Sequence, residues 1–393
     1  MGKEKMCKLN ELLTQLCPCG IKYSPLSNVC KSLPKGTLKT GDLNQNGKYP
    51  VINSGKDFYG RYQEYNNEGN VFTLAARGEY AGFVTYIEHR FWAGGLCYPY
   101  RSKNEDELLT KFVYYFLKQQ ENTIMSTLVA RGSIPALNKA DIDKIMIPLP
   151  PLPVQREIVR ILDNFTELTA ELTAELAARR KQYEHYRDEL LTFGDEVPKM
   201  PIAQCTERTK NIKWKENTAE YRYIDLTSVN LKNHQIESTT LISASDAPSR
   251  AQQLVKENDI LFGTTRPMLQ RQCLVPQCYD GQICSTGFCV LRTKIDVLLP
   301  EMLYYLMQTK AFYTYVERNQ KGASYPSISD ADVKRFEIPI VSIPEQKSIV
   351  TLLKHFDVLC NDLTSGLPAE ITARQKQYEY YRDKLLTFKE LEG

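Results

Sequence analysis

The residues of this sequence that could do chemistry are basic, amide, hydroxyl and aromatic residues clustered in short segments that contain glycine. In the first half of the chain they are Lys56, Tyr59, Arg61, Tyr62, Arg77, Gly78, Arg131 and Ser133. In the second half they are Thr264, Thr265, Arg266, Gln270, Arg271, Lys321, Ser324 and Tyr325. Arginine can pair with guanine edges, glutamine with adenine, and lysine, serine and threonine with phosphate. Any one of these residues alone fits an ordinary turn, but two sets at corresponding places predict contact with DNA.

Motifs of a self-contained enzyme are missing from the sequence. The Gly-Lys pairs at 47–48 and 55–56 are not followed by serine or threonine, which excludes a P-loop. Dinucleotide-binding, zinc-protease and nucleophile-elbow motifs are also missing. The Glu-Gln-Lys segment at 345–347 fits a loose nuclease pattern. The matching segment at 154–156 is Val-Gln-Arg, so charge at a helix N-terminus is the better interpretation. We therefore expect no catalytic residue.

Composition and charge narrow the class of protein further. The 393 residues are 42% hydrophobic and 25% charged, with a net charge of +3, so any basic surface must be local. No apolar run approaches the roughly 18–20 residues of a membrane helix, and no secretory signal opens the sequence. We expect a cytoplasmic protein that contacts no membrane and keeps its 11 cysteines reduced. Because the cysteine spacings lack CxxC pairs, we expect no metal site.

The elements that position these segments arise from a tandem duplication. ARRKQYEHYRDELLTF at 178–193 and ARQKQYEYYRDKLLTF at 373–388 agree at 13 of 16 positions. The stretches that precede them, at 147–168 and 338–359, agree at nine of 22 positions. Two half-chains therefore end in the same way.

Each repeated tail predicts a long helix. From Pro153 to Phe193, apolar residues recur every three or four positions and form a heptad seam. In the second copy, Gly366 and Pro368 predict a break and a restart with Pro368 in the first helical turn. The first helix would be ~60 Å long at 1.5 Å per residue. Two such helices, paired antiparallel, would hold the globular halves a fixed distance apart.

The globular halves have the pattern of α/β domains. Predicted strands lie at 49–53, 71–76, 82–87, 221–226, 260–263 and 283–291, and predicted helices at 105–120 and 301–318. The expected organisation is a globular domain at 1–150, a helical spacer at 151–196, a second globular domain at 197–340 and a second spacer at 341–393. The fold class is therefore α/β, with two domains separated by two long antiparallel coiled-coil-like helices in a pseudo-twofold tandem duplication.

Over essentially its whole length the chain resembles the specificity subunit of type I restriction–modification enzymes. The resemblance rests on IPLPPLPVQREIV and IPIVSIPEQKSIV, each followed by QYEHYRDELLTF or QYEYYRDKLLTF, and on segments such as LNELLTQLCPCGIKY and NDILFGTTRP. It implies that each half is a target recognition domain that reads one half of a split DNA sequence. It also implies that the helical spacers set the gap and that the subunit itself is non-catalytic.

The resemblance further implies partners. These are double-stranded DNA, two modification (methyltransferase) subunits and, where present, restriction or motor subunits. S-adenosylmethionine and ATP with Mg would bind those partners, and this chain would hold no cofactor. The expected spacer and partner-docking residues are Gln155, Phe165, Tyr183, Tyr186, Arg187, Gln346, Phe356, Tyr378, Tyr381 and Arg382.

Several alternatives stay open from the sequence. The four tyrosines of the spacers fit either an intramolecular seam or a partner interface. A decoy or scaffold that binds modification subunits without directing methylation would share the duplicated helices. A self-contained restriction–methylation enzyme would need a catalytic domain before the first recognition half.

Overall fold

The structure, a computed structural model, describes residues 2–231, 233–361 and 366–391. Its helices in that part of the chain are α1 (Gly2–Leu16), α2 (Leu26–Val29), α3 (Thr110–Gln119), α4 (Glu121–Thr127), α5 (Lys139–Ile142), α6 (Leu152–Leu190), α7 (Ile202–Cys205), α8 (Pro300–Leu306), α9 (Lys310–Asn319), α10 (Asp330–Arg335), α11 (Ile343–Asn361) and α12 (Leu367–Leu385). Among these described helices, none has the length and apolar character needed to cross a membrane.

The strands up to residue 148 are β1 (Tyr23–Pro25), β2 (Cys30–Ser32), β3 (Tyr49–Ile52), β4 (Gly60–Tyr62), β5 (Val71–Ala75), β6 (Val84–Ile87), β7 (Trp92–Ala93), β8 (Cys97–Ser102), β9 (Val129–Ala130), β10 (Ala136–Leu137) and β11 (Met146–Pro148). Those that follow are β12 (Lys199–Pro201), β13 (Thr206–Glu207), β14 (Tyr221–Ile224), β15 (Thr240–Ile242), β16 (Ala251–Leu254), β17 (Ile260–Gly263), β18 (Gln272–Leu274), β19 (Ile283–Ser285), β20 (Phe288–Thr293) and β21 (Glu337–Pro339).

The chain forms two compact units, and each unit includes the repeated tail of the other half-chain. Unit 1 comprises Met1–Glu171 and Ala373–Gly393, and unit 2 comprises Leu172–Thr372. The repeated tail of the first half-chain (178–193) therefore belongs to unit 2, and that of the second (373–388) belongs to unit 1. The domain boundaries drawn from the sequence stay a prediction.

Unit 1 is built on a four-stranded antiparallel sheet in the order β2-β8-β5-β6. All five residues of β5 are buried, as its continuous apolar character favours. Helix α3 packs its apolar face, which includes Phe112 and Phe116, into the same core. A second sheet has the order β4-β3-β7, and β1 pairs with β11.

Unit 2 repeats this plan. Its antiparallel sheet has the order β13-β20-β17-β18, with β17 in the place of β5. A mixed sheet has the order β15-β14-β19-β16, and β12 pairs with β21 as β1 pairs with β11. The α/β fold class and the duplication predicted from the sequence are confirmed.

Aromatic side chains pack the long helices against one another within each unit. In unit 1, the ring of Phe165 stacks on Tyr381 with the centroids 5.5 Å apart. In unit 2, the matching Phe356 stacks on Tyr183 and Tyr186, at 6.4 and 6.3 Å. Tyr378 packs against the core of unit 1, as Tyr183 does in unit 2. The repeated tyrosines therefore form the intramolecular seam.

A buried glutamine ties the start of each long helix to its globular part. The Gln155 amide donates to the carbonyls of Glu107 and Pro150, at 2.8 and 2.7 Å, and accepts from the Leu109 N–H at 2.8 Å. In unit 2, Gln346 repeats the arrangement with Val297, Val341 and Leu299, each at 2.9 Å. Both glutamines are at most 1% exposed, so they hold the fold together internally.

Three elements differ most from their predicted extents. The helix predicted at 105–120 begins at Thr110, because the Glu105 carboxylate accepts from the Thr110 N–H at 3.2 Å. The helix predicted at 301–318 divides into α8 and α9, since Thr309 caps α9 by accepting from the Phe312 N–H. The strand predicted at 283–291 divides into β19 and β20, which belong to different sheets. Pro368 lies in the first turn of α12 as predicted.

Replacing Gln346 by alanine should lower the free energy of unfolding by about 2–4 kcal/mol, because three buried backbone groups would lose their partner. Urea unfolding of the full chain measures the change. The matched control is Gln63→Ala, since Gln63 is exposed, and it should stay within about 0.5 kcal/mol of the parent. A loss below about 1 kcal/mol for Gln346→Ala would contradict the structural role of this amide.

Candidate nucleic-acid interface

Each unit carries a loop between the inner strand and the edge strand of its antiparallel sheet. We define turn loop 1 as residues 76–83, between β5 and β6, and turn loop 2 as residues 264–271, between β17 and β18. Each is followed, later in the chain, by a hairpin. Hairpin 1 spans residues 129–137, and hairpin 2 spans residues 321–328.

The same backbone hydrogen bonds join loop to hairpin in both units. In unit 1, the Leu137 N–H donates to the Ala76 carbonyl and the Gly78 N–H to the Pro135 carbonyl, both at 2.9 Å. In unit 2, the Ile328 N–H donates to Thr264 at 3.0 Å, and the Arg266 N–H donates to Pro326 at 2.7 Å. In this register, Gly78 of unit 1 and Arg266 of unit 2 occupy equivalent positions.

The register brings most of the loop residues predicted from the sequence to one surface in each unit. In unit 1, exposed Arg77 lies beside the hairpin that carries Arg131 and Ser133. The Lys56 ammonium lies 5.0 Å from the ring centroid of Tyr80, in turn loop 1, and adds a further positive charge. Charge of this kind, exposed in loops, suits contact with phosphates.

Turn loop 2 holds the best-defined side chain of the surface. The Arg266 guanidinium lies 4.2 Å from the ring centroid of Tyr325, at the tip of hairpin 2. Tyr325 is 69% exposed, so the pair faces solvent. Stacking of a guanidinium on an aromatic ring holds its plane while leaving the N–H donors free at the edge.

The charge around hairpin 2 is mixed. Lys321 and Ser324 are exposed on it. The Ser329 hydroxyl, and then the positive charges of Arg335 and Lys321, hold the pKa of Asp332 below its ordinary value. Asp332 therefore stays ionised at neutral pH beside Lys321, and the free positive charge of this surface comes chiefly from Arg266.

Several predicted residues support the backbone instead of pointing outward. Arg61 donates to the carbonyls of Gly47 and Lys48, at 2.6 and 2.9 Å. Arg271 donates to the Leu226 carbonyl at 2.7 Å. The Thr264 hydroxyl is buried and donates to the Gly287 carbonyl at 2.9 Å. These interactions shape the loops, so any effect of these residues on recognition is indirect.

Two aromatic candidates, Tyr62 in β4 and Tyr59 just before it, contact residues outside turn loop 1. Tyr62 packs edge-on against Trp92, with ring centroids 5.1 Å apart. The hydroxyls of Tyr59 and Thr40 lie 3.3 Å apart. Tyr59 is 47% exposed and keeps a surface that a ligand can reach.

Turn loop 2 borders a cleft of about 570 Å³ in unit 2. Gln270 lies at this cleft together with Tyr183 and Arg187 of α6. Arg187 is bound to Asp188 at 2.9 Å, and Arg382 repeats that pair with Asp383 at 2.8 Å in unit 1. His234 also lines the cleft, and burial lowers the pKa of its imidazole below the ordinary value. The imidazole is therefore neutral at pH 7.

Three exposed apolar residues of this surface were not predicted from the sequence. Met268 and Leu269 lie in turn loop 2 and are 39% and 42% exposed, and Ile134 in hairpin 1 is 63% exposed. The apolar pair between Pro267 and Gln270, in a segment without strand or helix periodicity, is the sequence signal that could have identified Met268 and Leu269. Such side chains suit contact with thymine methyl groups.

Metal-binding geometry is not found among the described residues, which contain no group of three histidine, cysteine or acidic side chains placed to hold an ion. Buried thiols account for most of the described cysteines. Burial raises the pKa of Cys30, Cys97 and Cys273 to about 12, so these thiols stay protonated at neutral pH.

Two copies of one α/β unit, each with an exposed basic loop-and-hairpin surface, define a protein with duplicated recognition surfaces. The model of the family described as type I restriction modification DNA specificity domain matches residues 18–179 and again residues 202–373. The chain belongs to this family. It is a type I restriction–modification specificity subunit, a class of non-catalytic subunits that recognise DNA.

Known relatives agree in sequence and fold. The chain is 29% identical over 402 residues to the specificity subunit of a type I restriction enzyme of Escherichia coli, covering 94% of both chains. The fold is similar to the crystal structure of a type I S subunit from M. genitalium, with a TM-score of 0.55, 16% identity and coverage of 93% and 95%. It is also similar to a chain from a structure of complex assembly and conformational transition of the type I R-M system, with a TM-score of 0.60, 12% identity and coverage of 94% and 98%.

Replacing Thr264 by valine should lower the free energy of unfolding by about 1 kcal/mol, because the hydroxyl loses its bond to the Gly287 carbonyl. Thermal unfolding measures the stability, and retention on DNA measures recognition. Thr265→Val is the matched control and should change stability by less than about 0.5 kcal/mol. Loss of DNA retention by Thr264→Val at unchanged stability would show a direct contact instead.

Proposed function

We propose that this chain directs adenine methylation at a bipartite DNA target. Unit 1 reads one half-site, unit 2 reads the other, and a fixed number of unspecified base pairs lies between them. The observation that carries the proposal is the shared loop-and-hairpin frame, which occurs once in each unit with different exposed side chains. The same backbone in both units suits the same docking on DNA, whereas different side chains suit different base sequences.

Two sets of side chains have different roles. One set supplies affinity for the DNA backbone, and the other reads the base sequence. Lys56, Arg77 and Arg131 in unit 1 supply exposed positive charge for phosphates. In unit 2, ionised Asp332 offsets the charge of Lys321, and Arg266 and Gln270 have the donors and acceptors that read base edges. Retention on DNA should therefore weaken steeply as the salt concentration rises.

The helical segments suit the role of a spacer. Helix α6 has 39 residues, which is ~58 Å at 1.5 Å per residue. Two half-sites one helical turn apart are separated by ~34 Å between centres, which a helix of this length can span. The aromatic seam and the buried glutamines give such a spacer rigid attachment to the recognition parts.

Helical surfaces left exposed suit the docking of two modification subunits. In unit 2, α11 exposes Leu352, Val358 and Leu359, which are 43%, 50% and 41% exposed. In unit 1, Tyr380 of α12 is 61% exposed. Apolar side chains exposed along a helix are typical of contacts between proteins. S-adenosylmethionine would bind the modification subunits, and ATP with Mg would bind motor subunits where the cell has them, so this chain needs no cofactor.

The proposal is tested by co-expressing the chain with a modification subunit encoded beside it and mapping methylated adenines by long-read sequencing. We expect one split motif with a gap of constant length. A continuous motif would contradict the division between two units. No motif, despite a partner that co-purifies and is competent with another specificity subunit, would favour a decoy that binds modification subunits without directing methylation.

Deleting residues 365–368 should change the gap length or the assembly with modification subunits while leaving both half-sites intact. Ser365 lies outside the described residues, Gly366 precedes α12, and Leu367 and Pro368 are its first two residues. The four residues have no counterpart in the first repeat, so removal shortens only the spacer. The same methylation map measures gap and half-sites together. A changed half-site sequence would show that the spacer also takes part in reading bases.

A further inference from the structure

Turn loops 1 and 2 bend in the same way but are filled with different residues. Each loop has two positions with positive φ, four residues apart. In unit 1 these are Gly78 and Gly82, with φ of +93° and +92°. In unit 2 they are Arg266 and Gln270, with φ of 50° and 57°. The loops have equal length, because the Ala75 N–H donates to Phe83 in unit 1 and the Gly263 N–H donates to Arg271 in unit 2.

Glycine adopts positive φ without steric strain, whereas residues with a Cβ adopt it at a cost in stability. Unit 1 shows that this frame can be built with glycine at both positions. Non-glycine residues in the left-handed region are concentrated at ligand-binding sites, where the side chain has a role that offsets the strain. The positive φ of Arg266 and Gln270 therefore points to a role for their side chains.

A second observation supports this conclusion independently. The loop-to-hairpin register aligns Tyr325 of hairpin 2 with Ile134 of hairpin 1. Tyr325 stacks on the Arg266 guanidinium, whereas in unit 1 the position of Arg266 is a glycine with open space around its missing Cβ. The supporting aromatic ring thus occurs only in the unit that has a guanidinium to support.

The groups on this loop suit base edges better than phosphates. A guanidinium held in one plane presents two parallel N–H donors, which match O6 and N7 of guanine in the major groove. The Gln270 amide presents one donor and one acceptor, which match N7 and N6 of adenine. Met268 and Leu269 lie between them and are exposed, so the loop can approach bases closely.

We propose that turn loop 2 is the base-reading loop of unit 2, with Arg266 on a guanine and Gln270 on an adenine of the same half-site. Tyr325 is the positioning residue for Arg266. This inference rests on the proposed function and adds to it the loop, the residues and the bases that they select. Unit 1 cannot read bases from the equivalent two positions, since Gly78 and Gly82 provide no side chain.

The test uses the complex of the full chain with its modification subunits, in the parent form and in the variants Arg266→Gly, Arg266→Lys and Gln270→Gly. Methylation motifs are mapped genome-wide, and thermal midpoints are measured on the same complexes. Arg266→Gly should lower the preference for guanine over the other bases, at one position of a single half-site, by about 10- to 100-fold. Its midpoint should stay within about 3 °C of the parent, because relief of backbone strain offsets the added freedom of the unfolded chain.

The other variants separate base reading from charge and from folding. Arg266→Lys keeps the positive charge but not the planar pair of donors. It should lower the preference for guanine at the same position of the motif. Gln270→Gly should lower the preference for adenine at one position of that half-site. Asn258→Gly is the matched control: Asn258 also has positive φ, at 64°, but lies in the turn before β17. It should leave the motif unchanged.

Two outcomes would overturn the proposal. An unchanged motif with both Arg266 variants would show that this side chain does not select a base. Weaker methylation of every site with the same motif would assign Arg266 to a phosphate. Failure of the proposed function is distinct from either outcome, because the parent complex would then produce no split motif at all.

Discussion

The recognition surfaces of both units depend on two backbone hydrogen bonds that join a turn loop to a hairpin formed more than 50 residues later. In unit 1 they link Ala76 with Leu137 and Gly78 with Pro135. Backbone bonds of this kind are independent of side-chain identity, so the frame persists while its exposed residues change. Two surfaces with the same backbone geometry can therefore carry different exposed side chains.

The second constraint is the exchange of helical tails between the two half-chains. Unit 1 packs Phe165 against a tyrosine of the second repeat, and unit 2 packs Phe356 against tyrosines of the first. Because each partner comes from the other copy, a change in one repeat must suit residues far away in sequence. The two tails agree at 13 of 16 positions, in keeping with the matching aromatic contacts that they make in the two units.

The differences between the loops show how stability and recognition are divided. Gly78 and Gly82 let unit 1 bend without strain, whereas unit 2 places side chains at the same positions. The ring under Arg266 limits the motion of a long side chain that would otherwise lose much conformational entropy on binding. Unit 2 thus has a less favourable backbone at this position and a guanidinium held against an aromatic ring.

The sequence by itself determined the duplication, the long helices and the restart at Pro368, because these follow from repeats and from local periodicity. Its resemblance to a known family, together with the residues of its loops, indicated the DNA-binding class. Most of the candidate residues that the sequence indicated lie on loops and hairpins that the fold brings together. Only the tertiary structure decided which half each tail joins, and which arginines are free. Arg61 and Arg266 look equivalent in sequence, yet Arg61 is bound to backbone carbonyls and Arg266 faces solvent. The physical reason is that these partners lie far along the chain, and local patterns do not encode contacts made across the fold.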